Sequence, residues 1–282
     1  MLSGRYSKAT IDKHRRALDQ LAASAAERDL LTLTRADVQD WIMNMEGWAS
    51  SSVLTRFSSA RAFYNWATAE EIIDRSPMHG MKAPINPPVL VDLPDLDDVR
   101  ALIAVCKGKG YEAKRDEAMI RLMCEPGAPR ASETAAIKLG DLDLVHDDVN
   151  IIWGKGGKSR TIPLSATTAT ACSRYLRLRA RHPKAPGCDV LWIGNRGRGP
   201  MTRSGVGAML ARRCTEAGIP NIHPHQLRHL AANRFFLAGG REGDAMRLFG
   251  WDDPAMPKLY AGIAAATRAQ GAARAMALGD EL

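Results

Sequence analysis

The sequence lacks long apolar runs, a secretory leader and paired cysteines. No stretch of about 18 uncharged apolar residues occurs, so a membrane-spanning helix is excluded. The N-terminus has no apolar segment of the kind that secretory signals contain. The five cysteines lie far apart and form no C-x-x-C pair, which argues against a zinc ribbon or a disulfide framework. These absences predict a cytoplasmic protein with no membrane partner.

An apolar fraction of 45% over 282 residues is sufficient for one large core or two ordinary cores. A charged fraction of 25% is ordinary for a globular protein, and no long biased tract occurs. The composition therefore excludes a chain that is mostly disordered.

Positive charge is concentrated in one third of the chain. Ile151–Arg241 contains 16 Lys and Arg residues against two acidic residues, Asp189 and Glu216, for a net charge of +14. Because the whole chain carries +8, the remainder carries −6. A solvated face is one interpretation, but solubility does not require one sign of charge in one segment. A polyanionic partner explains the segregation better, and nucleic acid is the commonest polyanion.

Residues 7–80 show apolar residues at helical spacing and predict four helices. Thr34 is suited to cap the second helix, and Ser51 or Ser52 is suited to begin the third. The fourth is a short helix around Glu70–Ile73 that ends before a proline.

A proline-rich segment then interrupts the helical pattern. Residues 82–94 read KAPINPPVLVDLP, which cannot continue a helix and favours a stiff, extended linker. We therefore predict a helical N-terminal domain at 1–81, a linker at 82–94 and a second domain at 95–282.

The second domain is predicted to combine helices with a β-hairpin. Two strands, Val149–Gly154 and Arg160–Leu164, flank a basic turn over residues 155–159. The predicted helices are Asp97–Lys107, Tyr111–Cys124, Ala131–Lys138, Thr167–Arg181, Ser204–Ala217, Pro224–Leu237, Asp244–Phe249 and Thr267–Leu278. The predicted fold class is mainly α with a small β-sheet.

The segment His223–His229 (HPHQLRH) carries the richest local signal. Proline suits the first position of a helix, which places His225 in the first turn, where backbone N–H groups attract anions. Arg228 and His229 follow on the same helix face. This pattern predicts a phosphate-binding helix end.

Two other interpretations of this segment are a helix end with incidental histidines and a metal site. His225 and His229 have the i, i+4 spacing of a zinc-protease helix. However, Gln226 stands where such enzymes have the catalytic Glu, and no third ligand suggests itself.

Four motifs occur in a fixed order along the chain. They are Arg130-Ala131-Ser132-Glu133 followed by Ile137-Lys138-Leu139, Gly154-Lys155-Gly156-Gly157-Lys158-Ser159-Arg160 followed by Ile162-Pro163-Leu164, His225-x-x-Arg228-His229, and Leu248-Phe249-Gly250-Trp251 with Tyr260 nine residues after the tryptophan. In this order they resemble the signature of the tyrosine recombinases, the family of phage integrases and Xer-like enzymes. The helical N-terminal domain and its linker resemble the core-binding domain of that family.

The resemblance implies a role for each site residue. Tyr260 would attack a DNA phosphodiester, forming a 3′-phosphotyrosine and freeing a 5′-hydroxyl. Arg130 and Arg228 would hold the non-bridging oxygens, Lys155 would protonate the leaving 5′ oxygen, and His225 would assist proton transfer around the nucleophile. Guanidinium groups can stabilise the charge that develops on the phosphate, so neither a metal, a cofactor nor ATP is expected.

Three further residues receive supporting roles from the resemblance. Trp251 would donate its indole N–H to the phosphate. Glu133 would orient an active-site cation, and His229 would lie behind the groups that touch the DNA. Lys158 competes with Lys155 as the general acid, and the match favours Lys155.

One segment departs from the family pattern. The family commonly approaches its first arginine through a short Thr-Gly-x turn, whereas residues 125–129 read EPGAP before Arg130. Glycine and proline still predict a turn here.

The expected partner is double-stranded DNA that carries core-type recombination sites. The tentative DNA contacts are Lys158, Arg160, Arg174, Arg177, Arg203 and Arg212. The resemblance also implies a homotetramer on synapsed DNA in a bacterial cell, with a directionality factor as a further candidate partner. The Ala-rich segment after Tyr260 would dock on a neighbouring protomer, with Met276 and Leu278 as anchors. We expect no arm-type DNA-binding domain before the first helix.

The predicted function is site-specific recombination that integrates or excises a phage or other mobile element. Xer-like resolution of DNA dimers, type IB topoisomerase-like relaxation and a catalytically silent DNA-binding protein are the alternatives on the same fold. A zinc hydrolase built on the two histidines is more distant.

Overall fold

The computed structural model divides the chain into two compact units, Met1–Leu90 and Val91–Leu282. The structure describes residues 8–85, 93–152, 159–195, 197–276 and 279. Part of the proline-rich linker, the hairpin tip with Lys155 and Lys158, and Leu278 lie outside the described residues. Within the described ranges, no helix is long and apolar enough to cross a membrane.

Over residues 8–85, the N-terminal unit contains three α-helices, α1 (Lys8–Ser24), α2 (Arg35–Met43) and α3 (Ser50–Ala69), and a 3-10 turn at Leu30–Thr32. Thr34 caps α2 as predicted, because its hydroxyl accepts the N–H of Asp37 while the Asp37 carboxylate accepts the N–H of Thr34. The helices pack around a core that includes Leu21, Val38, Trp41, Phe57 and Tyr64.

The predicted fourth helix around Glu70–Ile73 is wrong, since these residues form a turn and a bend. Helix α3 ends at Ala69, Glu71 adopts a left-handed backbone with φ of 55°, and the N–H of Ile72 donates to the carbonyl of Ala67. This closing turn satisfies the last carbonyls of α3 and turns the chain off the helical path. The short apolar pattern could not distinguish such a turn from a helix.

The C-terminal unit is mainly helical with one small sheet, which confirms the predicted fold class. Its helices are α4 (Leu96–Ala104), α5 (Tyr111–Leu122), α6 (Ala131–Ala136), α7 (Ala166–Arg179), α8 (Arg203–Ala217), α9 (Pro224–Leu237), α10 (Glu242–Phe249) and α11 (Ala255–Met276). The strands β1 (Leu142–Asp143), β2 (Asp148–Ile152) and β3 (Ser159–Pro163) form an antiparallel sheet in that order. The two-residue strand β1 was not predicted.

Helix α11 begins at Ala255, well before the predicted start at Thr267. Proline lacks only an N–H that the first turn of a helix leaves unbonded, so Pro257 is tolerated near the start of α11. Tyr260 therefore lies inside this helix and is held by its packing rather than by a loop.

Two apolar clusters organise the C-terminal unit. The larger surrounds α5, α7 and the sheet, where Val149 pairs with Ile162, and includes the buried Trp192. The smaller joins α9, α10 and α11 and contains Phe236 and Tyr260 among its buried residues. This second cluster packs the helices that carry the His225–His229 motif, the Leu248–Trp251 motif and Tyr260 against one another.

A buried carboxylate ties α5 to α8. Asp116 is 0% exposed and accepts hydrogen bonds from Arg115 at 2.7 and 2.9 Å, from Arg212 at 2.8 Å and from Arg213 at 2.9 Å. Arg115 and Arg213 are themselves buried, so both depend on this anion, although Arg213 also donates to Glu216 at 2.6 Å.

Asp116→Asn should lower the free energy of unfolding by about 3–5 kcal/mol, because it removes the carboxylate that pairs with the buried Arg115 and leaves the buried Arg213 with Glu216 alone. Denaturant unfolding monitored by circular dichroism measures this loss. The matched control is Asp97→Asn. Asp97 is 89% exposed and its ion-pair partner Arg100 is 73% exposed, so the free energy of unfolding should change by under about 1 kcal/mol. Equal effects of the two substitutions would contradict the assignment.

Candidate active site

Helix α9 begins at Pro224, as predicted, and presents three polar side chains on one face. His225, Arg228 and His229 occupy positions i, i+3 and i+4, and the rings of His225 and His229 meet edge to face at 5.7 Å. The sequence pattern and the structure therefore agree on which residues of α9 share a surface.

Arg228 is a buried cation whose hydrogen bonds go to uncharged groups. The residue is 8% exposed and donates to the main-chain carbonyls of Ala128 and Phe249. Burial, together with the positive charge of Arg130, lowers the pKa of Arg228 to about 9. A guanidinium desolvated in this way favours the approach of an anion.

The turn before Arg130 requires glycine. Gly127 has a φ of 91°, and a Cβ at this position would lie 2.9 Å from the carbonyl oxygen of Leu248. The unusual turn over residues 125–129 thus brings the Ala128 carbonyl to Arg228 and leads directly into Arg130 at the start of α6. The glycine of this turn therefore permits a close approach between the backbones of residues 127 and 248.

Glu133 fixes the orientation of Arg130. Its buried carboxylate accepts the backbone N–H and a guanidinium N–H of Arg130, both at 2.8 Å, and a guanidinium N–H of Arg160 at 2.6 Å. Burial alone raises the pKa of Glu133, but the hydrogen bonds from Arg160 and Arg130 outweigh burial and the net shift is downward. Glu133 is therefore ionised and holds two guanidinium groups together.

Arg160 differs from its predicted role as a DNA contact. Its side chain is 10% exposed, and its Nε donates to the carbonyl of Leu248 at 2.9 Å while its terminal nitrogens contact Glu133. The guanidinium is occupied inside the protein, where it links β3 to α6 and to the end of α10. No local pattern could have revealed this, because its partners are 27 and 88 residues away in the chain.

Four aromatic rings form a nearly parallel stack beside Arg228. Neighbouring centroids are 4.8 Å apart for Phe249 and Trp251, 5.3 Å for Trp251 and Tyr260, and 6.5 Å for Tyr260 and Phe236, with interplanar angles of 14°, 3° and 5°. Tyr260 is 1% exposed, and its hydroxyl is hydrogen-bonded to Nδ1 of His229. The predicted nucleophile thus contacts His229, whereas the resemblance had assigned proton transfer to His225.

A groove of about 860 Å³ collects the predicted phosphate ligands. Its lining includes Arg130, Arg228, His225, His229 and Trp251. These five residues come from three of the four motifs, so the fold brings together residues that are up to 121 positions apart.

The other arginines predicted to contact DNA differ in exposure and in their partners. Arg203 also lines the groove, and Arg174 and Arg177 are exposed on α7. Arg212 is bonded to Glu112 and Asp116, so its charge is compensated within the protein, unlike that of a free DNA contact.

His225 and His229 of α9 have the spacing of a metal-binding helix. Among the residues that the structure describes, no group of three or more His, Cys, Asp or Glu side chains is arranged to hold a metal ion.

Glu133→Gln should reduce the free energy of unfolding by roughly 3 kcal/mol near neutral pH, since Arg160 and Arg130 lose their anion. Because the folded-state pKa of Glu133 is lowered, this stabilisation is present above the ordinary glutamate pKa and is lost as pH falls through the folded value. The difference between the wild type and the variant should therefore shrink in acid. Urea unfolding at neutral pH and in acid measures the difference in the free energy of unfolding between wild type and variant. Glu46→Gln, at an exposed position, is the control. A difference that does not change with pH would contradict the prediction.

Family models match most of the chain. The model of the phage integrase family matches residues 95–266, and that of the phage integrase N-terminal SAM-like domain matches residues 1–71. Tyrosine recombinase XerC of Yersinia pestis is 28% identical over 264 residues, covering 90% of this chain and 84% of the relative. Tyrosine recombinase XerD of Listeria monocytogenes is 30% identical over 235 residues, covering 81% and 78%.

Solved structures share the fold. The Tn1549 transposon integrase in complex with transposon right end DNA has a TM-score of 0.74 at 17% identity, covering 91% of this chain and 90% of that one. A lambda integrase dimer bound to a COC′ core site has a TM-score of 0.70 at 16% identity, covering 92% and 91%. With the family models and the curated relatives, the chain therefore belongs to the phage integrase family of tyrosine recombinases, enzymes that cut and rejoin DNA at specific sites.

Proposed function

We propose that this recombinase cleaves DNA through Tyr260, with the phosphate held by Arg130 and Arg228, to integrate or excise a phage or other mobile element. The observation that carries the proposal is that the buried Arg228 lines one groove with His229 and Trp251, and that Tyr260 lies directly beneath it, stacked on Trp251 and hydrogen-bonded to His229. The arginines can bind a phosphate, and the nearby phenol of Tyr260 can act as a nucleophile toward it.

The chemistry follows from where charge develops. When Tyr260 attacks phosphorus, negative charge grows on the equatorial oxygens, and the two arginines stabilise it with permanently charged, directional donors. Glu133 restricts Arg130 to one orientation before DNA arrives, which lowers the cost of organising the site. Lys155 is the proposed proton donor to the leaving 5′ oxygen, and Trp251 closes the groove beside the phosphate.

DNA engagement extends beyond the groove. Arg174, Arg177 and Arg203 present exposed positive charge that can contact phosphates along the duplex. The N-terminal domain, residues 1–81, is proposed to add a second DNA-clamping surface at core-type sites. We place the reaction in the bacterial cytoplasm, with a directionality factor as a candidate regulator.

A homotetramer on synapsed DNA is the proposed active assembly. Helix α11 is exposed from residue 265 through Met276. An exposed helix of this length after the nucleophile is available to dock on a neighbouring protomer and so link the active sites.

A second candidate function is Xer-like resolution of chromosome or plasmid dimers. It is favoured by relatives named XerC and XerD at 28–30% identity. The two functions use the same chemistry and differ in the DNA site that is cut.

Covalent trapping tests the proposal. Nicked suicide DNA fragments, tiled across the flanks of the protein's own gene and, in a separate set, carrying a chromosomal dimer-resolution site, are incubated with the protein in EDTA. At least one fragment should yield an SDS-resistant adduct. Tyr260→Phe should abolish this adduct, because phenylalanine has no nucleophilic oxygen, whereas Tyr111→Phe should retain it. Denaturing gel electrophoresis measures both.

The outcomes separate the candidates. An adduct at sites flanking the gene supports a mobile-element role, and an adduct only with a chromosomal dimer-resolution site supports the Xer-like role. Adduct that persists in Tyr260→Phe refutes the nucleophile assignment. Tight DNA binding without adduct on any fragment indicates a silent DNA-binding protein.

A further inference from the structure

The hydroxyl of Tyr260 has a defined direction. The ring lies between Trp251 at 5.3 Å and Phe236 at 6.5 Å, nearly parallel to both. Packing on two faces prevents the ring from tilting, so the position of its oxygen is set by α11 and the stack. At that position the oxygen contacts Nδ1 of His229.

His229 is in the state that can accept a proton. Burial, then the nearby His225 and Arg228, lower the pKa of His229 to about 4. The imidazole is therefore uncharged at neutral pH. In its tautomer with the ring hydrogen on Nε2, Nδ1 accepts the phenolic O–H of Tyr260.

His225 is placed differently. It is exposed, its ring stacks on His223 at 5.6 Å with an interplanar angle of 6°, and it meets only the edge of His229. In this arrangement His225 faces the groove, where a phosphate would lie, and His229 stands between it and the nucleophile.

We propose that the imidazole of His229 is the proton acceptor for Tyr260 during DNA cleavage and the proton donor during rejoining. As the oxygen of Tyr260 bonds to phosphorus, the bond from phosphorus to the 5′ oxygen breaks, and the tyrosine proton moves to Nδ1 of His229. The leaving 5′ oxygen takes a proton from the general acid. Rejoining reverses each transfer. This inference rests on the proposed function, since it assigns a partner to the same nucleophile.

The environment of His229 suits a reversible transfer. Without DNA, Arg228 and burial disfavour the imidazolium, so the tyrosine keeps its proton. A phosphodiester in the groove brings negative charge next to His229 and stabilises the imidazolium as it forms. During rejoining, as the bond between phosphorus and the Tyr260 oxygen breaks, the same positive neighbours favour return of the proton from His229 to that oxygen.

His229→Asn tests the proposal most sharply. The asparagine oxygen can replace Nδ1 as a hydrogen-bond acceptor but cannot take the proton. Single-turnover adduct formation should fall on the order of 100-fold or more, with DNA affinity unchanged in a binding assay. His79→Asn, an exposed histidine of the N-terminal unit, makes the same chemical change and should leave the rate unaltered.

Chemical rescue separates proton transfer from mere positioning. Site-specific incorporation of 3-fluorotyrosine at position 260 gives a more acidic phenol, which depends less on a base. It should recover part of the rate lost in His229→Asn and none of the rate lost in Arg228→Lys. A His229→Asn rate equal to or above wild type, or a loss without rescue, overturns the proposal.

A second measurement does not depend on how His229→Asn folds. In protein with ¹⁵N-labelled histidine, Tyr260→Phe should shift the Nδ1 resonance of His229, because its hydrogen bond is removed. An unchanged resonance overturns the proposal. If wild-type protein forms no Tyr260 adduct with any fragment, the proposed function fails as well. A wild-type adduct with an unaffected His229→Asn overturns only the inference.

Discussion

The buried carboxylate of Glu133 is the interaction on which the active site depends. One ionised group holds Arg130 at the start of α6 and Arg160 on β3, and Arg160 in turn donates to Leu248 at the end of α10. Three separated segments are thereby fixed around one charge. An ion pair in this position is costly to desolvate, but the loss of one partner is costlier still, so the arrangement has few alternatives.

The aromatic stack complements this polar centre. Arg228 lies 5.3 Å from the centre of the Phe249 ring and 5.9 Å from that of Trp251, so the same stack that positions Tyr260 also contacts the phosphate-binding guanidinium. Gly250, between the two aromatic residues, has a left-handed backbone with φ of 60°. A Cβ added at this position would lie 3.0 Å from a guanidinium nitrogen of Arg160. Nucleophile, cation and carboxylate are thus coupled through direct packing.

The charge count of the sequence overstates the charge available to DNA. Several arginines of the basic segment are committed to internal partners: Arg179 to three carbonyls, Arg213 to Asp116 and Glu216, and Arg160 to Glu133. A linear count cannot distinguish these from exposed residues such as Arg174. The segment nevertheless identified the right class of partner, because enough positive charge remains at the surface and in the groove.

The sequence by itself determined the fold class, the start of α9 at Pro224, the cap at Thr34, the β-hairpin and the motifs of the family. These features follow from local rules, in which a residue acts on neighbours within a turn or two. Only the tertiary structure decided that Arg160 supports Glu133, that His229 contacts Tyr260, and that α11 begins before the nucleophile. The first two depend on contacts between residues 27 and 31 positions apart, and the last on packing against α9. Such contacts are selected by the energy of the whole core, which no local window contains.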